Sequence, residues 1–93
     1  MRKLTSNEVE ENCKQLNRWS YLNEGLEKQF KLKDFSEAFA LMARIALIAE
    51  KLDHHPEWSN VYNKINIRLT THDAGGVTEK DIRMARMIEE LLN

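Results

Sequence analysis

Little in this chain can staple, kink or anchor it. Its one cysteine, Cys13, cannot form an internal disulfide and fits a reducing compartment without requiring one. Nothing beside it in sequence looks like a base, which argues against a nucleophilic thiol. Pro56 is the single proline, and there are three glycines, so few backbone breaks are imposed on 93 residues. The longest weakly charged run, Ala38–Ala49, contains Arg44 and is too short to span a bilayer. Met1-Arg2-Lys3-Leu4 leads into polar residues instead of an apolar segment, so no signal peptide is expected. Excess positive charge is missing too. With a formal net charge of -1, no basic tract and no aromatic–basic interleaving, direct nucleic-acid binding is not expected.

What is present reads as one soluble globular domain over residues 1–93. The chain is 42% hydrophobic and 31% charged, outside the range of disorder. A chain of this size buries roughly 60–65% of its unfolded surface, so its core is thin. Across Ala38–Ala49, Arg44 is the one polar side chain, whereas a surface helix normally shows a polar half. So much apolar surface in so small a domain points to self-association, with Leu41 and Ile45 as candidate interface positions.

Three helix starts share a signature. Thr5-Ser6-Asn7-Glu8, Asp34-Phe35-Ser36-Glu37 and Thr78-Glu79-Lys80-Asp81 each place a cap residue three positions before an acid. The spacing predicts helices over 6–17, 35–53 and 79–92, the third box being weaker because aspartate is short. Trp19–Leu32, around Gly25, reads as a hairpin in which Leu26, Phe30 and Leu32 keep a period of two and Lys28 interrupts it. Ile65, Ile67 and Leu69 alternate with Asn66, Arg68 and Thr70, which predicts a half-buried strand. Trp58–Tyr62 is its expected partner, turning at Asn63-Lys64. The order α-β-β-α-β-β-α predicts an α+β two-layer sandwich: a four-stranded antiparallel sheet with three helices on one face. There are no repeats, low-complexity stretches or linkers.

The chemistry concentrates in "LDHHPEW", residues 52–58. Pro56 disfavours helix at His55, so the helix should stop at or before His54, and a break there could aim both rings at one volume. His54 would sit at a helix C-terminus with Glu50 four residues behind it, a setting that favours a proton donor. By parity His72 continues the open face of Asn66, Arg68 and Thr70 and lies beside Asp73, which suits acid–base work. Each histidine alone reads equally well as a solvated surface residue. Zinc fits poorly, since adjacent residues seldom ligate one ion and there is no His-x3-His pair or cysteine partner. Trp58 and Tyr62 share a strand face and either stack on a flat ring or serve as ordinary sheet residues.

The stretch "EKLDHHPEWSNVYNKINIRLTTHD" (50–73) resembles the signature of the pterin-4a-carbinolamine (4a-hydroxytetrahydrobiopterin) dehydratases. Glu50 precedes His54-His55-Pro56, Tyr62 lies six residues past the proline, His72 follows ten later, and Asp81 supplies a later acid. Trp19, "FKLKDFSEAFALMARIAL" (30–47) and the last helix extend the likeness over nearly the whole chain, close to the animal-type dimerisation-cofactor members. The resemblance implies a hydro-lyase that dehydrates 4a-hydroxytetrahydropterin to quinonoid dihydropterin in tetrahydrobiopterin regeneration, with no metal or organic cofactor. By correspondence His54 and His72 would be the acid–base pair and His55 would chiefly bind substrate. Asp53, Pro56, Thr70, Thr71 and Asp73 would join the histidines in the pterin pocket, with Glu50, Trp58 and Asp81 in support. Asp73 stands where some relatives carry glutamate, which keeps the charge. The resemblance also implies a homotetramer, a dimer of dimers, in a cytoplasmic setting. Some animal members act as dimerisation cofactors for a homeodomain transcription factor, so coactivation, with a nuclear location, is the alternative function. An association domain without chemistry would leave the histidines idle.

Overall fold

The computed structural model describes residues 1–92; Asn93, the last residue of the domain expected over 1–93, lies outside the described residues. Helix α1 (Ser6–Cys13) begins behind Thr5, whose hydroxyl accepts from the Glu8 N–H while the Glu8 carboxylate accepts from the Thr5 N–H. It ends four residues short of the expected 6–17, and the chain continues in turns up to Arg18, whose φ of 63° is left-handed. Helix α2 (Phe35–Leu52) is capped by Asp34, but its Glu37 carboxylate accepts from the Lys33 N–H, so this box is not reciprocal. Helix α3 (Glu79–Leu91) has the complete box in spite of the shorter acid. The Asp81 carboxylate reaches the Thr78 N–H at 2.9 Å.

Strands β1 (Ser20–Leu22), β2 (Gly25–Lys31), β3 (Glu57–Val61) and β4 (Lys64–Leu69) form one antiparallel sheet in the order β1-β2-β4-β3. The fold is α+β. The first hairpin turns at Asn23-Glu24, both left-handed with φ of 49° and 64°, and not at Gly25, which pairs with Leu22 as the first residue of β2. Gly25 leaves room for another group: the Arg68 guanidinium fills the space its Cβ would take. The second hairpin turns at Tyr62-Asn63, one residue earlier than expected. Asn60 donates to the carbonyls of Tyr62 and Lys64, and Asn63 donates to that of Leu32, fixing the turn there.

The helices cover the sheet face that carries Leu26, Phe30, Ile65, Ile67 and Leu69, all buried. Lys28, which interrupts the apolar alternation, also lies on this face. Its ammonium meets Glu89 at 2.6 Å and sits 4.6 Å over the Phe30 ring, and the Trp19 indole N–H donates to the same carboxylate. The opposite face stays open and carries Glu27, Gln29, Asn66 and Arg68. On α2, Ala38, Leu41, Ile45 and Ala49 face this core. Leu41 and Ile45 are therefore core residues and not interface positions. The unpartnered stripe is Phe35, Phe39, Ala40, Ala43 and Leu47, with Phe39 60% and Leu47 73% exposed. No helix among the described residues is long and apolar enough to cross a membrane.

The N-terminal segment joins the fold where α3 begins, through the Leu4 N–H on the Val77 carbonyl. Its anchor is titratable. Hydrogen bonds from Arg2, then from the Thr5 amide, hold the Glu8 carboxyl down to about 2 from an ordinary 4.5. A depressed carboxyl contributes stability above its unfolded value that is lost as pH falls toward the folded one. Amide protection at the start of α1, taken relative to the intrinsic exchange rate at each pH, should therefore fall between about pH 4.5 and 2. In Arg2→Ala the change should shift upward in pH, and an unshifted profile would remove Arg2 from the explanation.

Candidate active site

The site starts from the way α2 ends. Asp53 takes the left-handed conformation (φ 50°, ψ 45°), the His54 N–H returns to the Ala49 carbonyl, and the Asp53 N–H returns to that of Glu50. These are the paired bonds of a Schellman turn, made here with aspartate where glycine is usual. The turn swings His54 off the helical face on which Glu50 would have been its neighbour. His54 Nε2 instead lies 2.5 Å from Asp81 Oδ1, with the His54 side chain 10% and the Asp81 side chain 0% exposed. Glu50 meets His55 Nε2, also at 2.5 Å. Glu50 is thus the partner of His55, a correction to its expected place behind His54.

Asp81 has three hydrogen-bond partners although its side chain has no exposed surface. Its Oδ2 accepts from the Thr78 N–H and from the Thr71 hydroxyl, each at 2.9 Å. Thr71 is 2.8 Å from the Thr78 hydroxyl, which in turn accepts from the Lys80 N–H. One buried group therefore ties together the end of α2, the segment after β4 and the first turn of α3.

Strand β4 stops at Leu69, and Thr71 then makes an isolated bridge with Gly76. His72–Ala74 forms a short 3-10 turn closed by left-handed Gly75, so the strand alternation has already ended at His72. The ring stands 78% exposed, and its Nε2 lies 2.9 Å from Glu57 Oε2 on β3, not beside Asp73 as expected.

Asp53, His54, His55, Thr70, Thr71, His72 and Asp73 all line a single cleft of about 320 Å³, at the lower end of the range for small-molecule sites. The eighth lining residue, Lys80, was not among the expected ones. Its signal was its place in the first helical turn, adjacent to Asp81. Pro56, Glu50, Trp58 and Asp81 do not line the cleft. Trp58 pairs across from Ile67 and packs against the core, and Tyr62 stands exposed in the hairpin turn, so the two do not form a shared stacking face. A cleft such as that between Gln15, Arg86 and Glu90 holds no histidine. Among the described residues no group of three or more His, Cys, Asp or Glu is placed to hold a metal ion.

One regularity runs through the site. Each of the three imidazoles has Nε2 against a carboxylate: Asp81, Glu50 and Glu57. A carboxylate accepts hydrogen bonds, so at His54 and His55 the Nε2 side is the donor and Nδ1 is the nitrogen left for other chemistry, while the His72–Glu57 contact is an ion-pair approach.

Comparison with known proteins gives the family. Residues 2–91 match the family described as pterin 4 alpha carbinolamine dehydratase. A protein of Christiangramia forsetii that carries that name provisionally is 45% identical over 99% of this chain and 95% of its own length. A similarly named protein of Prochlorococcus marinus is 51% identical over 81% of this chain and 79% of its own. The crystal structure of a transcriptional coactivator/pterin dehydratase from Brucella melitensis superposes with a TM-score of 0.96 at 47% identity, covering 99% of this chain and all of that one. The chain belongs to the pterin 4 alpha carbinolamine dehydratase family.

In this member of the dehydratase family Asp81 joins elements far apart in sequence behind the candidate cleft, which makes it a stability determinant. Asp81→Ala leaves the Thr78 amide, the Thr71 hydroxyl and the His54 ring without their acceptor in a buried place. The expected loss is about 2–4 kcal/mol by urea denaturation. A loss within 0.5 kcal/mol, the range of an ordinary surface change, would contradict this view of the site.

Proposed function

We propose that the protein is a hydro-lyase that converts 4a-hydroxytetrahydropterin to quinonoid dihydropterin and so serves tetrahydrobiopterin regeneration. The observation that carries the reading is the convergence of three carboxylate-backed imidazoles on one cleft suited to a small bicyclic molecule. Family membership supplies the substrate class. In the reaction the C4a–O bond breaks and the hydroxyl departs as water on receiving a proton, while a ring nitrogen gives its proton to a base and a carbon–nitrogen double bond forms. One acid and one base suffice, and neither metal nor organic cofactor takes part. His54 and His72 form that pair, and His55 acts chiefly in binding. The Asp53 and Asp73 carboxylates suit the donor-rich aminopyrimidine edge.

Each acid–base group contributes on the order of 10²–10⁴ in rate. His54→Ala and His72→Ala should depress kcat on that scale with pterin binding largely kept. His55→Ala should act mainly through KM, because an interaction that holds ground and transition states equally leaves kcat alone when it is removed. Near-normal kcat in both His54→Ala and His72→Ala would show the proton-transfer roles to be wrong. Chelators should leave the rate unchanged, and loss of activity on removal of stoichiometric zinc would reverse the metal-free reading.

The exposed stripe on α2 supports assembly into a homotetramer, a dimer of dimers. The same stripe could serve the alternative function, coactivation by binding a transcription-factor dimerisation domain, which the description of the Brucella melitensis relative brings into view. Phe39→Asp and Leu47→Asp place a charge where apolar surface would be covered, so both should yield a smaller species in sedimentation with unchanged circular dichroism. A wild-type monomer at micromolar concentration would refute the tetramer.

A further inference from the structure

The open face of the sheet carries a chain of charged groups that ends on His72. Glu57 and Arg68 are cross-strand partners on β3 and β4. Glu57 Oε2 lies 2.9 Å from His72 Nε2, and Glu57 Oε1 lies 3.7 Å from Arg68 Nε. Arg68 is itself held: Nη1 donates to Glu27 at 2.7 Å and to the Leu22 carbonyl at 2.8 Å, and Nη2 donates to the Asn23 carbonyl at 2.5 Å. Gly25 leaves the room in which that guanidinium sits.

We propose that Glu57 is the positioning residue of His72: steadied by Arg68, it holds the imidazole from the sheet side with Nε2 protonated and Nδ1 unprotonated. Its catalytic consequence rests on the dehydratase reading. The need for such a device follows from exposure. His54 is confined by burial and by Asp81, but the His72 ring stands in solvent at the start of a three-residue turn, and the ion-pair approach of Glu57 is its one side-chain polar contact among the described residues. A ring free to rotate would present either nitrogen and spend part of its time turned away from the cleft. Glu57 does not line that cleft, so any effect it has passes through His72. An isolated exposed ion pair is weak; Glu57 belongs to a network whose arginine is tied to the backbone, which limits the entropy lost in ordering it.

The test compares wild type, Glu57→Ala, His72→Ala and the double variant. Ring nitrogen chemical shifts of neutral His72 should move in Glu57→Ala toward a larger share protonated at Nδ1. The kcat should fall about tenfold, part of the 10²–10⁴ an acid–base group supplies, with KM nearly unchanged. In the His72→Ala background the Glu57 substitution should cost nothing further, the mark of two residues acting as one. Glu57→Asp should recover part of the loss. Unchanged ring shifts would overturn the proposal whether or not the protein dehydrates pterins. Altered shifts with unaltered kcat, or an additive double variant, would overturn the catalytic role of Glu57 alone. If wild type leaves 4a-hydroxytetrahydropterin untouched, the dehydratase reading fails and the ring shifts still decide the positioning.

Discussion

A carboxylate with no exposed surface has to find protein donors for the bonds that water would have made, and Asp81 finds them in three separate segments. The Thr78 amide belongs to the start of α3, the Thr71 hydroxyl to the crossing between β4 and α3, and the His54 ring to the segment after α2. Those donors cannot separate without stranding the charge, so the cleft is locked to the fold. The same residue completes the cap of α3. A local rule of helix termination and a feature of the site thus share one side chain. This is also why His54, nearly buried, differs from its neighbour: His55 reaches outward to Glu50, which is itself exposed.

Much of the fold was legible because its signals are local. Cap residues mark α1, α2 and α3, since orphan N–H groups must be met by side chains within three positions. Alternation in Ile65–Leu69 marks the half-buried strand, because side-chain direction along a strand has a period of two. Lys28 breaks the alternation of β2 without breaking the strand. Its charge is answered by Glu89, 61 residues away, a compensation no local pattern reveals. The hairpins shifted for a similar reason: Arg68 and Thr70 donate to the carbonyls of Leu22, Asn23 and Glu24 at the first turn, and Asn63 donates to that of Leu32 at the second.

The lining of the candidate cleft was legible as a set of residues and not as a set of partners. His54, His55 and His72 were each expected near a carboxylate, on spacing along a helix or adjacency in sequence. The partners are Asp81, Glu50 and Glu57. A left-handed Asp53 redirects two of the rings, and a 3-10 turn at His72 redirects the third; both are backbone choices that periodicity cannot register. Trp58 was expected to share a stacking face with Tyr62, but its parity in β3 sends it to the core face and Tyr62 lies in the turn. Likewise α2 was rightly too apolar for one packing face, but which of its residues were surplus depended on its rotation against the sheet. Leu41 and Ile45 went inward, and Phe39 and Leu47 did not.

The central claim is that a cleft walled by carboxylate-backed histidines removes water from a 4a-hydroxytetrahydropterin. The most direct measurement is the decay of that compound, generated in situ and followed by rapid-mixing absorbance, with and without catalytic amounts of the protein. The account expects decay to accelerate in proportion to protein concentration, with quinonoid dihydropterin as the product. Decay at the spontaneous rate at every protein concentration would contradict it.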